Sequence, residues 1–94
     1  MIKRVDGGGG NEEIDLVAMK GDHPVFAAEC KWSKKAVGID VLRDLKRKVY
    51  LIASGGKIAN IRLGLFSRSG FTKEVEDLGK KGEIELRDIR AIGL

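Results

Sequence analysis

The sequence predicts a mixed α/β domain, and three observations support that prediction. Several apolar segments have the length of single β-strands and are separated by turn residues. One longer segment repeats its apolar residues at the spacing of an amphipathic helix. The resulting order, three strands followed by alternating helices and strands, is typical of a mixed α/β domain. Because 94 residues suffice for one domain and not for two, we expect residues 1–94 to form a single domain.

The first half of the chain contains three predicted strands. Ile2 to Val5 forms a short strand, and the glycine-rich segment from Asp6 to Asn11 is a loop. The segment from Ile14 to Met19 is apolar apart from one aspartate and predicts a second strand. A turn over residues 20–24, which contains a glycine and a proline, leads into a third strand from Val25 to Trp32.

The second half alternates helix and strand. Between Ile39 and Ala53 the apolar residues recur at intervals of three and four, which predicts an amphipathic helix. Ile61 to Phe66 is apolar and predicts a fourth strand. A short helix from Thr72 to Leu78 follows, and the alternating segment from Glu83 to Arg87 predicts a final edge strand.

The composition excludes several kinds of site. Cys30 and His23 are the sole cysteine and histidine, so an internal disulfide, a four-cysteine zinc site and a histidine cluster are all excluded. No apolar run approaches the roughly 20 residues of a membrane span, and no signal-peptide segment follows Met1. We therefore expect a cytoplasmic protein without a membrane partner. The net charge of +4 is mild, but it favours a polyanionic partner such as DNA.

The pairing of the second and third strands predicts a cluster of charged side chains. A hairpin that turns about Asp22 pairs Met19 with Val25, Val17 with Ala27, Asp15 with Glu29, and Glu13 with Lys31. Directly opposed side chains lie on one face of a sheet, with Cβ atoms roughly 4.5–5.5 Å apart. This register therefore gathers Glu13, Asp15, Glu29 and Lys31, while Cys30 and Trp32 point to the other face.

Facing carboxylates suggest a metal site. Asp15 and Glu29 would repel each other, and a hard divalent cation converts that repulsion into coordination. Mg²⁺ suits a few carboxylate oxygens and keeps several waters, and Mn²⁺ is its natural substitute. Lys31 beside such an ion could contact a phosphate or orient the attacking water. A metal ion and a lysine in this arrangement are the groups needed to hydrolyse a phosphodiester bond. Ordinary ion pairs on a solvated sheet face are the alternative interpretation.

Two motifs in these strands resemble a known superfamily. Glu13-Ile14-Asp15, followed by Glu29-Cys30-Lys31 at the end of an apolar strand, resembles the PD-(D/E)XK nucleases. More narrowly, the chain is similar to the nuclease-like C-terminal domain of archaeal ATPases, and more distantly to Holliday junction resolvases and Mrr-type restriction endonucleases. The similar segments are residues 12–18, residues 28–32, the helix after Val37-Gly38, and residues 66–72.

The resemblance implies a restriction-endonuclease-like mixed sheet flanked by helices, and Mg²⁺-dependent DNA endonuclease activity. It implies that Asp15 and Glu29 bind Mg²⁺, with the backbone carbonyl of Cys30 as a further ligand, and that Lys31 is the catalytic lysine. Glu13 is an additional candidate acid. The chain departs from the family because no helix is predicted before the first strand. A catalytically inactive nuclease-like module for DNA binding or protein interaction is therefore the alternative, and a homodimer and an ATPase domain in a longer protein are further candidate partners.

The remaining basic and aromatic residues have two interpretations each. Five basic residues could line a groove for the DNA backbone: Lys34, Lys35, Lys57, Arg62 and Arg68. Four others could simply solvate the long helix: Arg43, Lys46, Arg47 and Lys48. Trp32 is predicted to pack in the core or at an edge, with a nucleobase contact as the alternative. Cys30 is predicted to be a small core residue.

Overall fold

The computed structural model describes residues 2–6, 13–53 and 60–89, and within them every predicted element is present in the predicted order. Their bounds are β1 Ile2–Asp6, β2 Glu13–Lys20, β3 His23–Lys31, α1 Ile39–Ala53, β4 Arg62–Ser67, α2 Lys73–Lys80 and β5 Glu85–Asp88. The bounds of α1 match the prediction, and those of the other elements shift by a few residues at most. Asp6 belongs to β1, whereas the rest of the predicted glycine-rich loop, the segment after α1 and Lys57 lie outside the described residues.

The strands form one mixed sheet in the order β1-β2-β3-β4-β5. The pairs β1–β2 and β2–β3 are antiparallel, whereas the pairs β3–β4 and β4–β5 are parallel. Both parallel connections contain a helix, as this kind of crossover requires. The sequence of strands and helices therefore produces an antiparallel half and a parallel half that meet at β3.

Both helices pack on the same face of the sheet. Glu29, Leu65 and Leu86 occupy one row across β3, β4 and β5. Lys48 of α1 contacts Glu29, and Gly79 of α2 lies so close to Leu86 that a Cβ at Gly79 would meet its side chain. Right-handed crossovers that advance in one direction across a sheet place their helices on one side of it, which agrees with this arrangement.

The core lies between this face and the two helices. Its fully buried residues are Ile14, Val17, Ala27, Leu42, Leu45, Leu65, Val49 and Val75. The residues from α1 belong to the predicted apolar stripe, so burial of that stripe fixes the rotation of the helix. Neither helix of the described part is long and apolar enough to cross a bilayer.

The β2–β3 hairpin has the predicted register only in its centre. Val17 pairs with Ala27 as predicted, but Met19 pairs with Pro24 instead of Val25. The difference arises because Val25 is an extra residue in β3, a β-bulge close to the turn. The predicted Met19–Val25 pair is therefore wrong.

A second irregularity lies in β2, at the end that approaches the candidate site. Lys3 pairs with Val17 and Val5 pairs with Ile14, so two residues of β2 oppose the single residue between Lys3 and Val5. Such a bulge interrupts the alternation of side chains between the two faces. Ile14 and Val17, three positions apart, are consequently both fully buried in the same core.

Candidate active site

The candidate site lies where β2 and β3 stop pairing through their main chains. The last ladder pair before this point is Leu16 with Ala28, one step short of Asp15 and Glu29. Beyond this pair, the Asp15 side chain takes the place of a main-chain acceptor. Its Oδ2 accepts a hydrogen bond from the Cys30 amide nitrogen at 2.9 Å. The bulge in β2 frees Asp15 from the ladder for this contact.

The structure brings the carboxyl groups of Asp15 and Glu29 together. The two side chains are close enough to form a hydrogen bond, which contributes to the raised pKa of Glu29. Glu29 is only 4% exposed and faces α1, so water does little to screen the repulsion between the two groups when both are charged. The predicted proximity of these acids is therefore a side-chain contact and not a ladder pair.

Lys48 of α1 reaches into this site and is a residue that the sequence analysis missed. Its Nζ lies 3.2 Å from Glu29 Oε1 and 3.4 Å from Asp44 Oδ2, and it donates a hydrogen bond to the Glu13 carbonyl oxygen at 2.9 Å. The sequence predicts that Lys48 solvates α1. It lies next to Val49 at the border of the apolar stripe, where a long side chain can extend over the core face, and that position was the available signal.

Burial controls the protonation of this cluster. Burial, followed by the hydrogen bond and charge of Asp15, raises the pKa of Glu29 from 4.5 to about 7, although Lys48 acts in the opposite direction. Burial lowers the pKa of Lys48, but the charges of Glu29 and Asp44 outweigh it and the net shift is upward. Near neutral pH, Glu29 therefore exchanges its proton easily while Lys48 remains an ammonium ion.

Lys31 lies on the same face of the sheet as Glu29. Strand β3 pairs with β4 without irregularity from Phe26 to Lys31, so residues two apart share a face. The half-buried Lys31 side chain lines a cavity of about 340 Å³ that is also lined by the first residues of α1 and α2. Within the described residues the Lys31 ammonium group has no ion-pair partner, so it is available to an anionic group that enters the cavity.

Glu13 contributes its main-chain carbonyl to the candidate site. Its side chain is exposed, and its main-chain carbonyl is the group that contacts Lys48. The bulge after Ile14 shifts the end of β2, so the predicted Glu13–Lys31 pair is absent from the described ladder. Among the residues that the structure describes, no three histidine, cysteine or acidic side chains are arranged to hold a metal ion. The predicted ladder pair of Glu13 with Lys31 is therefore not found among the described pairs, and a role for Glu13 as an additional acid stays a prediction.

Cys30 contributes main-chain groups to the candidate site. Its amide group points towards Asp15, and in an extended strand the carbonyl of the same residue points to the same side. That carbonyl oxygen therefore opens on the gap between β2 and β3. The thiol is half-buried, and burial raises its pKa, which does not favour a reactive thiolate.

The predicted DNA-contacting residues separate into two groups. Lys34, Lys35 and Arg68 are exposed at the carboxyl end of β3 and β4, and Lys35 lines the same cavity as Lys31. Arg62, in contrast, begins β4 at the other end of the strand, where it pairs with Glu85 and donates a hydrogen bond to the Gly82 carbonyl at 3.1 Å. Arg62 is therefore separated from the candidate site by the length of β4.

The sequence predicts that Trp32 packs in the core or at an edge, and its exposure shows that the core alternative is wrong. Strand β3 ends at Lys31, and Trp32 follows on an irregular segment with 55% of its surface exposed. Hydrogen bonds join this segment to the one after β4, through Arg68 Nη1 to the Trp32 carbonyl at 3.4 Å and Ser69 Oγ to the Ser33 carbonyl at 2.7 Å.

Comparisons with known proteins support the fold. No protein-family model matches the chain, and no curated protein matches it. Among solved structures, the chain is similar to the crystal structure of a repair endonuclease from Pyrococcus abyssi, with a TM-score of 0.60 at 19% sequence identity. The similarity covers 93% of this chain and 38% of that chain. The chain therefore has the restriction-endonuclease-like mixed α/β fold that the sequence predicted, and it spans well under half of its structural neighbour.

Proposed function

We propose that this chain is a nuclease domain that hydrolyses phosphodiester bonds of DNA with the help of Mg²⁺, for which Mn²⁺ can substitute. The contact between the Asp15 and Glu29 carboxyl groups is the observation that supports it most directly. The buried Glu29 and the half-buried Asp15 destabilise each other when both are charged, and a divalent cation would remove that repulsion. The nuclease-like fold supports the same proposal.

The residues present fit such an ion. Asp15, Glu29 and the main-chain carbonyl of Cys30 supply oxygen atoms, which are the donors that Mg²⁺ and Mn²⁺ prefer. When bound, the ion would polarise the phosphate and lower the pKa of a bound water. Lys48 binds Glu29 at 3.2 Å, so its ammonium group would compete with such an ion for the Glu29 carboxylate.

Lys31 supplies the cationic group of the proposed reaction. Because it shares a face with Glu29 and lines an open cavity, its ammonium can bind a phosphate oxygen or orient the attacking water. A phosphate that enters the cavity is also close to Lys35. Lys31 therefore acts on the substrate, whereas Lys48 acts on the carboxylate.

A cleavage assay tests these roles. We expect Mg²⁺-dependent cleavage of duplex, flapped or four-way junction DNA, and Asp15→Ala or Lys31→Ala should lower the rate at least about 100-fold. Asp22→Ala and Lys20→Ala are matched controls, because both residues are exposed at the hairpin turn. Cleavage that is unaffected by Asp15→Ala or Lys31→Ala would contradict the assigned roles.

A catalytically inactive module that binds DNA is the second candidate. Lys48 forms an ion pair with Glu29, so the cluster can also have a purely structural role. This candidate predicts DNA binding that persists in EDTA, weakens steeply with salt and never leads to cleavage. The same assay, run with a binding measurement, separates the two candidates.

We also propose a homodimer. The face of the sheet opposite α1 and α2 carries half-buried apolar side chains, among them Leu16, Phe26 and Phe66, and neither helix covers it. A second copy could cover this surface by a symmetric contact. Light scattering that shows a clean monomer at high concentration would contradict the dimer. An attached ATPase domain is a proposal that rests on the family resemblance alone.

A further inference from the structure

We infer that Trp32 is a stacking platform for an unpaired DNA base beside the candidate active site, so that the preferred substrate is DNA with a single-stranded segment at the cleavage position. This inference rests on the proposed function and adds the class of DNA on which it acts. It joins three observations: the exposure of Trp32, the fixed main chain beneath it, and the cations around it.

The position of Trp32 distinguishes it from the other exposed apolar side chains of the described residues. Tyr50 and Leu51 lie near the end of α1, and Val25 is the bulge residue near the hairpin turn. Isolated exposed apolar residues are common and need no explanation by themselves. Trp32, in contrast, directly follows Lys31 and lies three residues after Glu29, about 10 Å along an extended chain. Both chain neighbours of Trp32, Lys31 and Ser33, line the cavity of the proposed active site, so DNA that extends beyond that cavity can reach the exposed indole ring.

The main chain at Trp32 is held on both sides. The Lys31 carbonyl accepts a hydrogen bond from the Arg68 amide at 3.1 Å, and the Trp32 carbonyl accepts one from the Arg68 side chain at 3.4 Å. Ser69 Oγ donates to the Ser33 carbonyl at 2.7 Å. A group attached to a fixed backbone loses less conformational freedom on binding, so a stacking contact here retains more of its favourable free energy.

Three basic residues lie near this position. Lys34 and Lys35 follow Trp32 in the chain, Arg68 lies on the segment bonded to it, and all three are exposed. The acids in the neighbouring cavity, Asp40 and Glu74, lie at the beginnings of α1 and α2. DNA phosphates are therefore attracted to Lys34, Lys35 and Arg68 more than to the beginnings of α1 and α2. Cations along a strand path and an aromatic ring for a base are the combination used for single-stranded nucleic acid.

Stacking on Trp32 requires a base whose face is accessible. In a continuous duplex both faces of each base are covered by neighbouring base pairs, and extruding a base costs a few kcal/mol. An unpaired base in a flap, an overhang or a single strand presents its face without that cost. Intact duplex would contact only the cations, so the structure favours DNA with an unpaired nucleotide over blunt duplex.

The sole tryptophan of the chain makes this inference directly testable. Its fluorescence is titrated with a single-stranded oligonucleotide and with the blunt duplex of the same sequence, in EDTA at low salt. We expect the single strand to quench the fluorescence strongly and the duplex to quench it little. By anisotropy of a labelled oligonucleotide, Trp32→Ala should weaken single-strand binding about 5- to 150-fold, as expected for loss of one stacked base, and change duplex binding less than about twofold.

Two further variants complete the experiment. Trp32→Phe keeps an aromatic face and should retain most of the single-strand affinity, whereas Tyr50→Ala removes an aromatic residue that is 64% exposed on α1 and should leave that affinity unchanged. Equal quenching by blunt duplex, unchanged single-strand affinity in Trp32→Ala, or tight binding of single-stranded RNA without binding of DNA would each overturn the inference. Because binding is measured without metal, quenching without later cleavage in Mg²⁺ would contradict the proposed activity and the assignment of a preferred substrate, and would leave only the stacking of a base on Trp32 standing.

Discussion

At the scale of single residues, Glu29 is the most informative position in the chain. A glutamate inside an apolar strand, 4% exposed, loses hydration that its partners restore only in part. Lys48 stabilises its charged form, and burial and Asp15 stabilise its neutral form more, so that its pKa rises to about 7. A carboxyl group whose pKa lies near neutral pH is typical of functional sites, and a bound divalent cation would stabilise its charged form.

This shift predicts a dependence of stability on pH. The folded chain holds a proton on Glu29 between about pH 4.5, its ordinary pKa, and about pH 7, whereas the unfolded chain does not. The contribution of this group to the free energy of unfolding is therefore fully present below pH 4.5 and is lost as the pH rises through 7. The loss is on the order of 3 kcal/mol.

Urea unfolding of Glu29→Gln in EDTA at pH 5 and pH 8 checks this prediction. Glutamine cannot lose the proton, so the variant should gain stability relative to the natural chain as the pH rises from 5 to 8. Glu83→Gln is the control, because that glutamate is exposed in the turn before β5. An identical pH dependence in Glu29→Gln and the natural chain would show that Glu29 does not titrate in this range.

At the scale of elements, α1 positions the candidate site from outside the sheet. Its apolar stripe packs on the sheet, and that packing directs Lys48 to Glu29 and to the end of β2. The bulge in β2 has the complementary role, because it releases Asp15 from the ladder and lets its side chain bind the Cys30 amide. The acid pair therefore depends on one regular element and one irregular one.

Removing part of the α1 stripe tests this dependence. Leu45 is fully buried, so Leu45→Ala should lower the free energy of unfolding by about 2–5 kcal/mol through lost burial and the cavity left behind. Lys46→Ala, on the exposed side of the same helix, should change it by less than about 0.5 kcal/mol. Equal effects of the two substitutions in chemical denaturation would mean that α1 does not rest on this stripe.

At the scale of the whole molecule, a small domain with a buried acid pair should respond to divalent cations in its stability. A ligand that binds only the folded state at 100 times its dissociation constant adds about 2.7 kcal/mol to the free energy of unfolding. For a domain of this size each kcal/mol corresponds to roughly 4–8 °C in melting temperature.

We therefore expect Mg²⁺ or Mn²⁺ at pH 8, where Glu29 is ionised, to raise the melting temperature by several degrees or more. Calorimetry with and without EDTA measures the shift. Asp15→Asn should abolish it, because the amide removes one of the two charged ligands, whereas Asp22→Asn should retain it. A shift that survives Asp15→Asn would place the bound ion elsewhere.

The sequence by itself determined the order and type of the elements and the approach of Asp15 to Glu29. Those features depend on local periodicity, on turn residues and on the short connection between two adjacent strands, all of which are visible in the order of the residues. The bounds of α1 followed from its apolar stripe for the same reason.

Only the tertiary structure decided which side chains complete the site. The bulge in β2 and the shift of Val25 out of register appear only when the strands pair, and Lys48 reaches Glu29 from 19 residues away in sequence. Trp32 is exposed because β3 ends at Lys31, and the segment that follows Lys31 is hydrogen-bonded to the segment that follows β4. Contacts between distant segments depend on how the layers pack, and the spacing of residues along one strand or helix carries no record of them.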